Sequence, residues 1–192
     1  MARTQAADYE QRREAIVDRA AELFAERGFM GASIADIAAA CNTSKSLIYY
    51  YFPAKEDILC AVMSSHIDQL IEDVEQATGG EEPVAEQFSK LVHAFLHHYA
   101  GASDRQKVLL NERAHLPEDS RAIIVGKQRR IIDATQALVI ALHPELADDR
   151  TKARVQTMLV FGMLNWTHTW YDPKGPVPID ELAEMIIRTA SN

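Results

Sequence analysis

Residues 33–55 read S-I-A-D-I-A-A-A-C-N-T-S-K-S-L-I-Y-Y-Y-F-P-A-K, and their spacing decides the fold. Ser33, followed three residues later by Asp36, is a capping-box-like start for a helix of about two turns. Asn42 stands at the bend after I-A-D-I-A-A-A, where a residue that tolerates the left-handed conformation can replace glycine. Thr43 and Ser44 offer the N-cap of a second short helix, and Pro53 stops it. Two short helices on a tight turn, leaning on a longer helix before them, form a helix-turn-helix.

The second short helix carries three consecutive tyrosines, which must point in three directions. With Ile48 at 0° and about 100° per residue, Phe52 lies near ~40°, so these two form the inward stripe. Tyr50 falls at roughly 200° and Ser46 at roughly 160°, away from the core, with Leu47 beside them at about 260°. Tyr49 and Tyr51 are the shoulders. In a helix entering a DNA major groove, the outward face meets base edges and the shoulders meet phosphates. A tyrosine hydroxyl can donate to phosphate, and Leu47 suits a thymine methyl. Tyrosines that merely cover a seam with the next helix are the competing explanation.

Charge is distributed in keeping with a contact module on an acidic body. The 192 residues carry a net −8, yet residues 1–55 hold 7 Lys+Arg and 7 Asp+Glu. The remainder, 56–192, is therefore acidic and repelled by phosphates. Apolar periodicity with no strand-like alternation predicts an all-α chain. The expected helices cover about 8–27, with Ile16, Ala20, Leu23 and Phe24 inward and Gly28 at the C-terminus, then 55–77, 83–100, 103–115, 118–142, 148–171 and 179–190. No run approaches a membrane span, residues 1–10 have no signal-peptide core, and Cys41 and Cys60 are too few for a disulfide scaffold. A cytoplasmic protein without membrane contact is expected.

The stretch G-F-M-G-A-S-I-A-D-I-A-A-A-C-N-T-S-K-S-L-I-Y-Y-Y-F-P-A-K-E-D-I-L closely resembles the DNA-binding motif of the TetR family of transcriptional regulators, a likeness that covers residues 9–60 and is ungapped from Gly31 to Lys55. The resemblance implies an all-α homodimer bound to a double-stranded operator. It would have an N-terminal three-helix helix-turn-helix domain (1–54) and a helical ligand-binding and dimerisation domain (55–192). By that likeness Lys45, Ser46, Leu47 and Tyr50 stand at base-reading positions. Thr43, Tyr49, Tyr51 and Lys55 stand at phosphate-contact positions, with Ser33 at the start of the first short helix. Ala35 departs from the basic residue common in the family, and Asn42 replaces its turn glycine.

In the body, T-K-A-R-V-Q-T-M-L-V-F-G-M-L-N-W-T-H-T-W-Y is apolar on two faces. Val155, Leu159, Gly162, Met163 and Trp166 form one; Met158, Phe161, Asn165 and Thr169 form the other. One face packing on a partner subunit and the other lining a cavity is one reading; both faces serving as core is the alternative. With Leu182, Met185 and Ile186, the first face predicts a four-helix dimer interface. F-G-M-L-N-W-T-H-T-W-Y-D-P-K-G-P-V-P also resembles the C-terminal part of TetR regulators of fatty-acid, aromatic and sterol catabolism, which implies an acyl-CoA effector. Phe95, Tyr99, Leu110, Phe161, Asn165 and Trp166 would then meet the acyl chain. Arg113, Lys127, Arg129 and Arg130 would meet the CoA phosphates, unless K-Q-R-R is simply a solvated face. A non-CoA hydrophobic effector of the drug-efflux type is the alternative.

No catalytic residue, metal ligand or cofactor is expected. G-x-S-x-G, P-loop and dinucleotide fingerprints are absent from the sequence. His93 and His97 sit at i and i+4, and Glu112 and His115 have ExxH spacing. Di-iron chemistry needs a second such pair, which the sequence lacks.

Overall fold

The computed structural model describes residues 2–191, with side chains from residue 7 onward. Its described residues form nine α-helices: α1 (Ala2–Gly31), α2 (Ile34–Ala40), α3 (Lys45–Tyr51), α4 (Lys55–Thr78), α5 (Val84–Gly101), α6 (Ser103–Asn111), α7 (Glu118–Leu142), α8 (Arg150–Trp170) and α9 (Ile179–Ala190). Two short 3-10 turns, Arg113–His115 and Pro144–Leu146, complete the set, and no strand occurs among the described residues. None of these helices is long and apolar enough to cross a membrane. The expected helix ends agree to within two residues except at both ends of α1, which runs past the break at Gly28 to Gly31, and at the end of α6. α1 begins at Ala2 because A-R-T-Q-A-A holds no helix breaker, and α6 ends at Asn111 before a separate 3-10 turn.

The chain packs as two compact units, Met1–His66 with Asp104–Ile124, and Ile67–Ser103 with Val125–Asn192. In the first unit, α1 buries Ile16, Val17, Ala20, Ala21 and Phe24, the predicted stripe widened by its neighbours. Gly28 breaks α1 at φ 72°, ψ 163°, a conformation that suits a residue without Cβ. Ser33 and Asp36 make the full capping box of α2. At the other end of α2, Asn42 adopts φ 50°. The Thr43 amide donates to the Ala38 carbonyl (2.9 Å) and the Asn42 amide to that of Ala39 (3.1 Å), the hydrogen-bond pattern of a Schellman turn. Ser44 caps α3, accepting from the Leu47 amide at 3.2 Å.

Residues 104–124 join this unit through specific bonds. The Arg105 guanidinium reaches Asp18 (2.6 Å) and Glu14 on α1 and the Ser65 hydroxyl on α4. His66 and Gln106, each 1% exposed, lie 2.7 Å apart, so two buried polar groups satisfy one another. Val108, Leu109 and Leu116 are buried as well.

In the second unit α5, α8 and α9 pack on one another. Their core includes Phe88, Leu91, Val92 and Leu96 of α5, Val160 and Leu164 of α8, and Leu182 and Ile186 of α9. Pro83 occupies the N-cap of α5, and Asp149 caps α8 by accepting from the Lys152 amide at 2.9 Å. The histidines pair with carboxylates: His97 Nε2 lies 2.7 Å from Asp180 and His93 Nε2 3.8 Å from Glu184, each joining α5 to α9.

Asp73 of α4 faces His98 of α5, with Oδ2 and Nδ1 3.3 Å apart. Burial, with a smaller push from the charge on Glu72, raises the Asp73 carboxyl to about 6. A carboxyl whose pKa is higher folded than unfolded holds its proton more tightly when folded, so ionising it costs stability. Its contribution is fully present below about pH 4 and is lost as pH rises through about 6. Asp73→Asn is expected to remove that component. Urea unfolding midpoints of the variant between about pH 4 and 6 then lack a downward slope that the wild type shows; parallel curves count against the assignment.

Candidate functional site

The position of α3 is set by its inward side. Ile48 and Phe52 are buried, and the Arg13 guanidinium lies 5.0 Å over the Phe52 ring. The opposite side is bare: Lys45 and Ser46 are exposed, Tyr49 is 51% exposed and Tyr50 69%. Leu47 and Thr43 are half-buried at its margin. A seven-residue helix therefore presents Ser46, Leu47 and Tyr50 together on one face, with Tyr49 on one shoulder.

The other shoulder is occupied within the protein. The Tyr51 ring lies 4.7 Å from that of Tyr9 on α1 and 5.2 Å from that of Tyr50. Tyr51 thus covers the α1–α3 seam, which divides the tyrosine run between outward contact and internal packing. The competing seam explanation holds for Tyr51, against α1 rather than α4.

Two other residues of the expected DNA-binding set, Ser33 and Lys55, have partners within the protein. The Ser33 hydroxyl lies 2.5 Å from the Asp36 carboxylate, which can only accept, so its proton is directed there rather than to a phosphate. These hydrogen bonds from Ser33 hold the Asp36 carboxyl below its usual range. Lys55 donates to the carbonyls of Phe29 (2.8 Å) and Ala32 (2.9 Å), and its ammonium sits 4.1 Å over the Phe29 ring. It supplies donors where the helix break at Gly28 leaves carbonyls without intrahelical partners. At most one of its three N–H groups is left for DNA.

Sequence reasoning missed the groups that hold this unit together over long separations. The Phe29 amide donates to the Glu112 carboxylate at 3.2 Å, and the Phe29 ring stacks on His115 at 5.1 Å. Thus the ExxH pair belongs to the closure of the α1–α2 turn. Arg105 and Tyr9 were also missed. The Glu14–Asp18 pair at i, i+4 hinted at a cation to be supplied from elsewhere, but nothing local identified Arg105 or linked Tyr9 to residues 50 and 51.

In the body, Phe95, Tyr99 and Phe161 come together as one buried aromatic cluster. Phe95 lies 5.9 Å from Tyr99 and 6.1 Å from Phe161. Asn165, one turn beyond Phe161, is half-buried. Trp166 is 65% exposed and is not in that cluster. Leu110 and Arg113 belong to the other packing unit. Of the expected phosphate-binding cations, Lys127 pairs with Asp68 (2.6 Å) and Arg130 with Glu75 (3.0 Å), while Arg129 is exposed.

Trp166 instead joins an outward apolar stripe on α8. Val155 (55%), Met158 (48%), Leu159 (58%) and Trp170 (58%) are exposed with it, and Gly162 lies among them. These residues fall within an arc of about 120°. Met158 belongs here rather than on the inner face. On α9, Leu182 and Ile186 are buried within the unit, so Met185, 49% exposed, is the member of the expected trio that faces outward.

Residues 81–192 match the family model for the Tetracyclin repressor-like C-terminal domain, and residues 16–62 match that for bacterial regulatory proteins of the tetR family. A solved TetR-family transcriptional regulator from Bordetella parapertussis 12822 is 42% identical, with a TM-score of 0.89 over 93% of each chain. AibR, solved in complex with isovaleryl coenzyme A and operator DNA, shares the fold at a TM-score of 0.82 and 24% identity, over 93% of this chain and 97% of its own. The transcriptional activator FasR of Mycolicibacterium smegmatis is 24% identical over 186 residues, 94% of this chain and 82% of FasR. An exposed recognition-helix face on a buried three-helix frame agrees with these matches, and the chain belongs to the tetR family of DNA-binding transcriptional regulators and is not an enzyme.

Proposed function

We propose that the protein is a homodimeric repressor that binds a palindromic operator and is released by a hydrophobic effector, with an acyl-CoA thioester as the first candidate. The exposed face of Lys45, Ser46, Leu47 and Tyr50 on a buried frame is the observation that carries the DNA reading. Tyr49 and Thr43 are the phosphate contacts at its edge, and Lys55 adds to them only with whatever donor its two carbonyl bonds leave. Two recognition helices entering successive major grooves require half-sites about one helical turn apart. Tyr49→Phe removes one hydroxyl and is expected to weaken binding to all duplexes by roughly two- to tenfold, the size of one hydrogen bond. Substitutions at Ser46, Leu47 or Tyr50 shift base preference instead. Lys55→Ala is expected to lower the melting temperature as well as affinity, because it strips donors from the Phe29 and Ala32 carbonyls. Unchanged stability in that variant excludes the capping role.

The α8 stripe, extended by Met185, is the dimer surface in this reading. A Cβ placed at Gly162 meets nothing within 4 Å, so a larger residue there leaves the protomer's own packing undisturbed. In a helix, replacing glycine also removes a conformational cost of about 1 kcal/mol. Gly162→Arg is therefore expected to yield folded monomers that no longer hold the operator, read by light scattering and gel shift. A dimeric, DNA-competent Gly162→Arg protein assigns dimerisation to another face.

Release follows as a population shift if the effector prefers the state whose recognition helices miss successive grooves. A preference of about 10²-fold, some 2.7 kcal/mol, suffices to weaken operator binding substantially. α4 and α7 each run from one packing unit into the other, so they are the continuous routes for such a bias. The Phe95–Tyr99–Phe161 cluster and the AibR complex support an acyl-CoA. The pairing of Lys127 and Arg130 with Asp68 and Glu75 favours a second reading, an apolar effector without phosphates. Operator complexes titrated with acyl-CoAs, free CoA and the matching acids separate the two readings. Release by thioesters alone supports the first; release by acids or neutral hydrophobes alone supports the second. In a reporter strain, expression that rises when the gene is deleted supports repression, whereas a fall makes the protein an activator.

A further inference from the structure

Among the described side chains, α1 reaches the core first at Ile16, yet the helix extends more than two turns before it. In residues 7–15 every side chain is exposed except Tyr9 and Arg13, which are half-buried. One turn apart, both face α3. Arg13 lies over Phe52, and the Tyr9 ring meets Tyr51 at 4.7 Å and Tyr50 at 6.2 Å, edge to face. Tyr50 and Tyr51 are themselves edge to face at 5.2 Å, so the three rings close a triangle. All three centroid distances fall in the range where aromatic pairs attract and prefer defined angles.

Tyr50 needs such a constraint. At 69% exposure, and pointing away from the core, its ring has no buried pocket to select a rotamer. A free helical tyrosine divides itself between two χ1 wells and sweeps different parts of a groove floor. A base-reading group that must be immobilised on binding loses affinity, and one that can swing tolerates the wrong base.

We propose that Tyr9, on α1 and outside the helix-turn-helix, is a positioning residue for base recognition, whose ring holds Tyr50 in the orientation that reads the operator. This rests on Tyr50 reading bases. The contacts are made by the ring, so Tyr9→Phe preserves the function and Tyr9→Ala removes it.

The experiment is selection of duplexes from a random library, followed by affinity measurements on the selected operator, its single-base variants and a random duplex. Wild type, Tyr9→Phe, Tyr9→Ala, Tyr50→Ala and the Tyr9→Ala/Tyr50→Ala double variant are compared. Tyr9→Ala is expected to weaken operator binding about two- to tenfold, the cost of one unordered side chain. It should also relax preference at the base pairs whose selection Tyr50→Ala abolishes, and leave random-duplex affinity unchanged. Tyr9→Phe behaves as wild type, and the double variant matches Tyr50→Ala, because Tyr9 has nothing left to position. Equal losses on operator and random duplex, a Tyr9→Phe loss as large as that of Tyr9→Ala, or additive single effects each overturn the proposal. Should Tyr9→Ala melt well below wild type, Tyr9→Leu keeps apolar bulk without the ring, and undiminished discrimination in that variant overturns it equally. Wild type selecting no sequence, or Tyr50→Ala leaving preference unmoved, removes the operator reading and this inference with it. Intact Tyr50-dependent selection with no Tyr9 effect removes only the inference.

Discussion

The reversal of the chain after Gly28 is the constraint on which the DNA-reading unit depends. Breaking α1 there leaves the Phe29 amide and the Phe29 and Ala32 carbonyls to side-chain partners, while the Gly28 carbonyl still accepts from the Ala32 amide at 3.2 Å; buried orphans among such groups are costly. Three distant side chains close the gap. Lys55 at the start of α4 takes the Phe29 and Ala32 carbonyls, Glu112 beyond α6 takes the Phe29 amide, and His115 stacks on the Phe29 ring. α2 follows directly from this turn, and α3 follows α2 through the Asn42 turn. Whatever shifts Lys55 or Glu112 relative to Phe29 therefore acts at the base of the segment that carries the reading face. Arg105 lies in the first turn of α6 and Glu112 just beyond its end, so one short helix holds α1 both near its middle, through Glu14 and Asp18, and at its end.

Local chemistry was legible in the sequence because it is written in adjacent residues. The Ser33 cap needs Asp36 three positions on, the Asn42 turn needs a residue that accepts φ 50°, and the stop of α3 needs Pro53. The inward pair Ile48 and Phe52 followed from period alone. Groups whose partners lie 23 to 91 residues away were not legible. Lys55 reads as a cation beside a DNA-binding helix until Phe29 and Ala32 are seen beneath it, and Glu112–His115 reads as half of a metal motif. Periodicity places a side chain on a face, but it does not say what that face meets.

The same limit explains the body. Two apolar stripes on α8 were visible, and Phe161 sits on the inner one as the pattern suggested, its ring 6.1 Å from that of Phe95. Trp166 sits on the outer one, 65% exposed, although its size and its neighbour Asn165 made it look like a pocket residue. An exposed tryptophan flanked by Leu159, Met158 and Trp170 is uncommon on a solitary soluble surface, where large apolar groups do not gather without a partner. The stripe thus distinguishes the faces better than residue type does.

Charge imposes a further order on the DNA contact. The body is acidic, residues 1–55 are neutral, and two polar groups near the interface, Ser33 and Lys55, are engaged within the protein. In the proposed complex each protomer would thus bring few cations to the phosphates, and little of its hold on DNA would come from counterion release. A single head with so little electrostatic hold would dissociate readily from any site. Joining two heads makes the second contact intramolecular, which raises affinity without adding charge. In the proposed reading, discrimination falls to the α3 face, where the neutral Ser46, Leu47 and Tyr50 ring stand beside a single cation, Lys45, and orientation matters as well as charge. A reading face that depends on orientation gains from rigidity, and the ring contacts of Tyr9 with Tyr50 and Tyr51 and the double closure of the Gly28 turn both bear on this seven-residue helix.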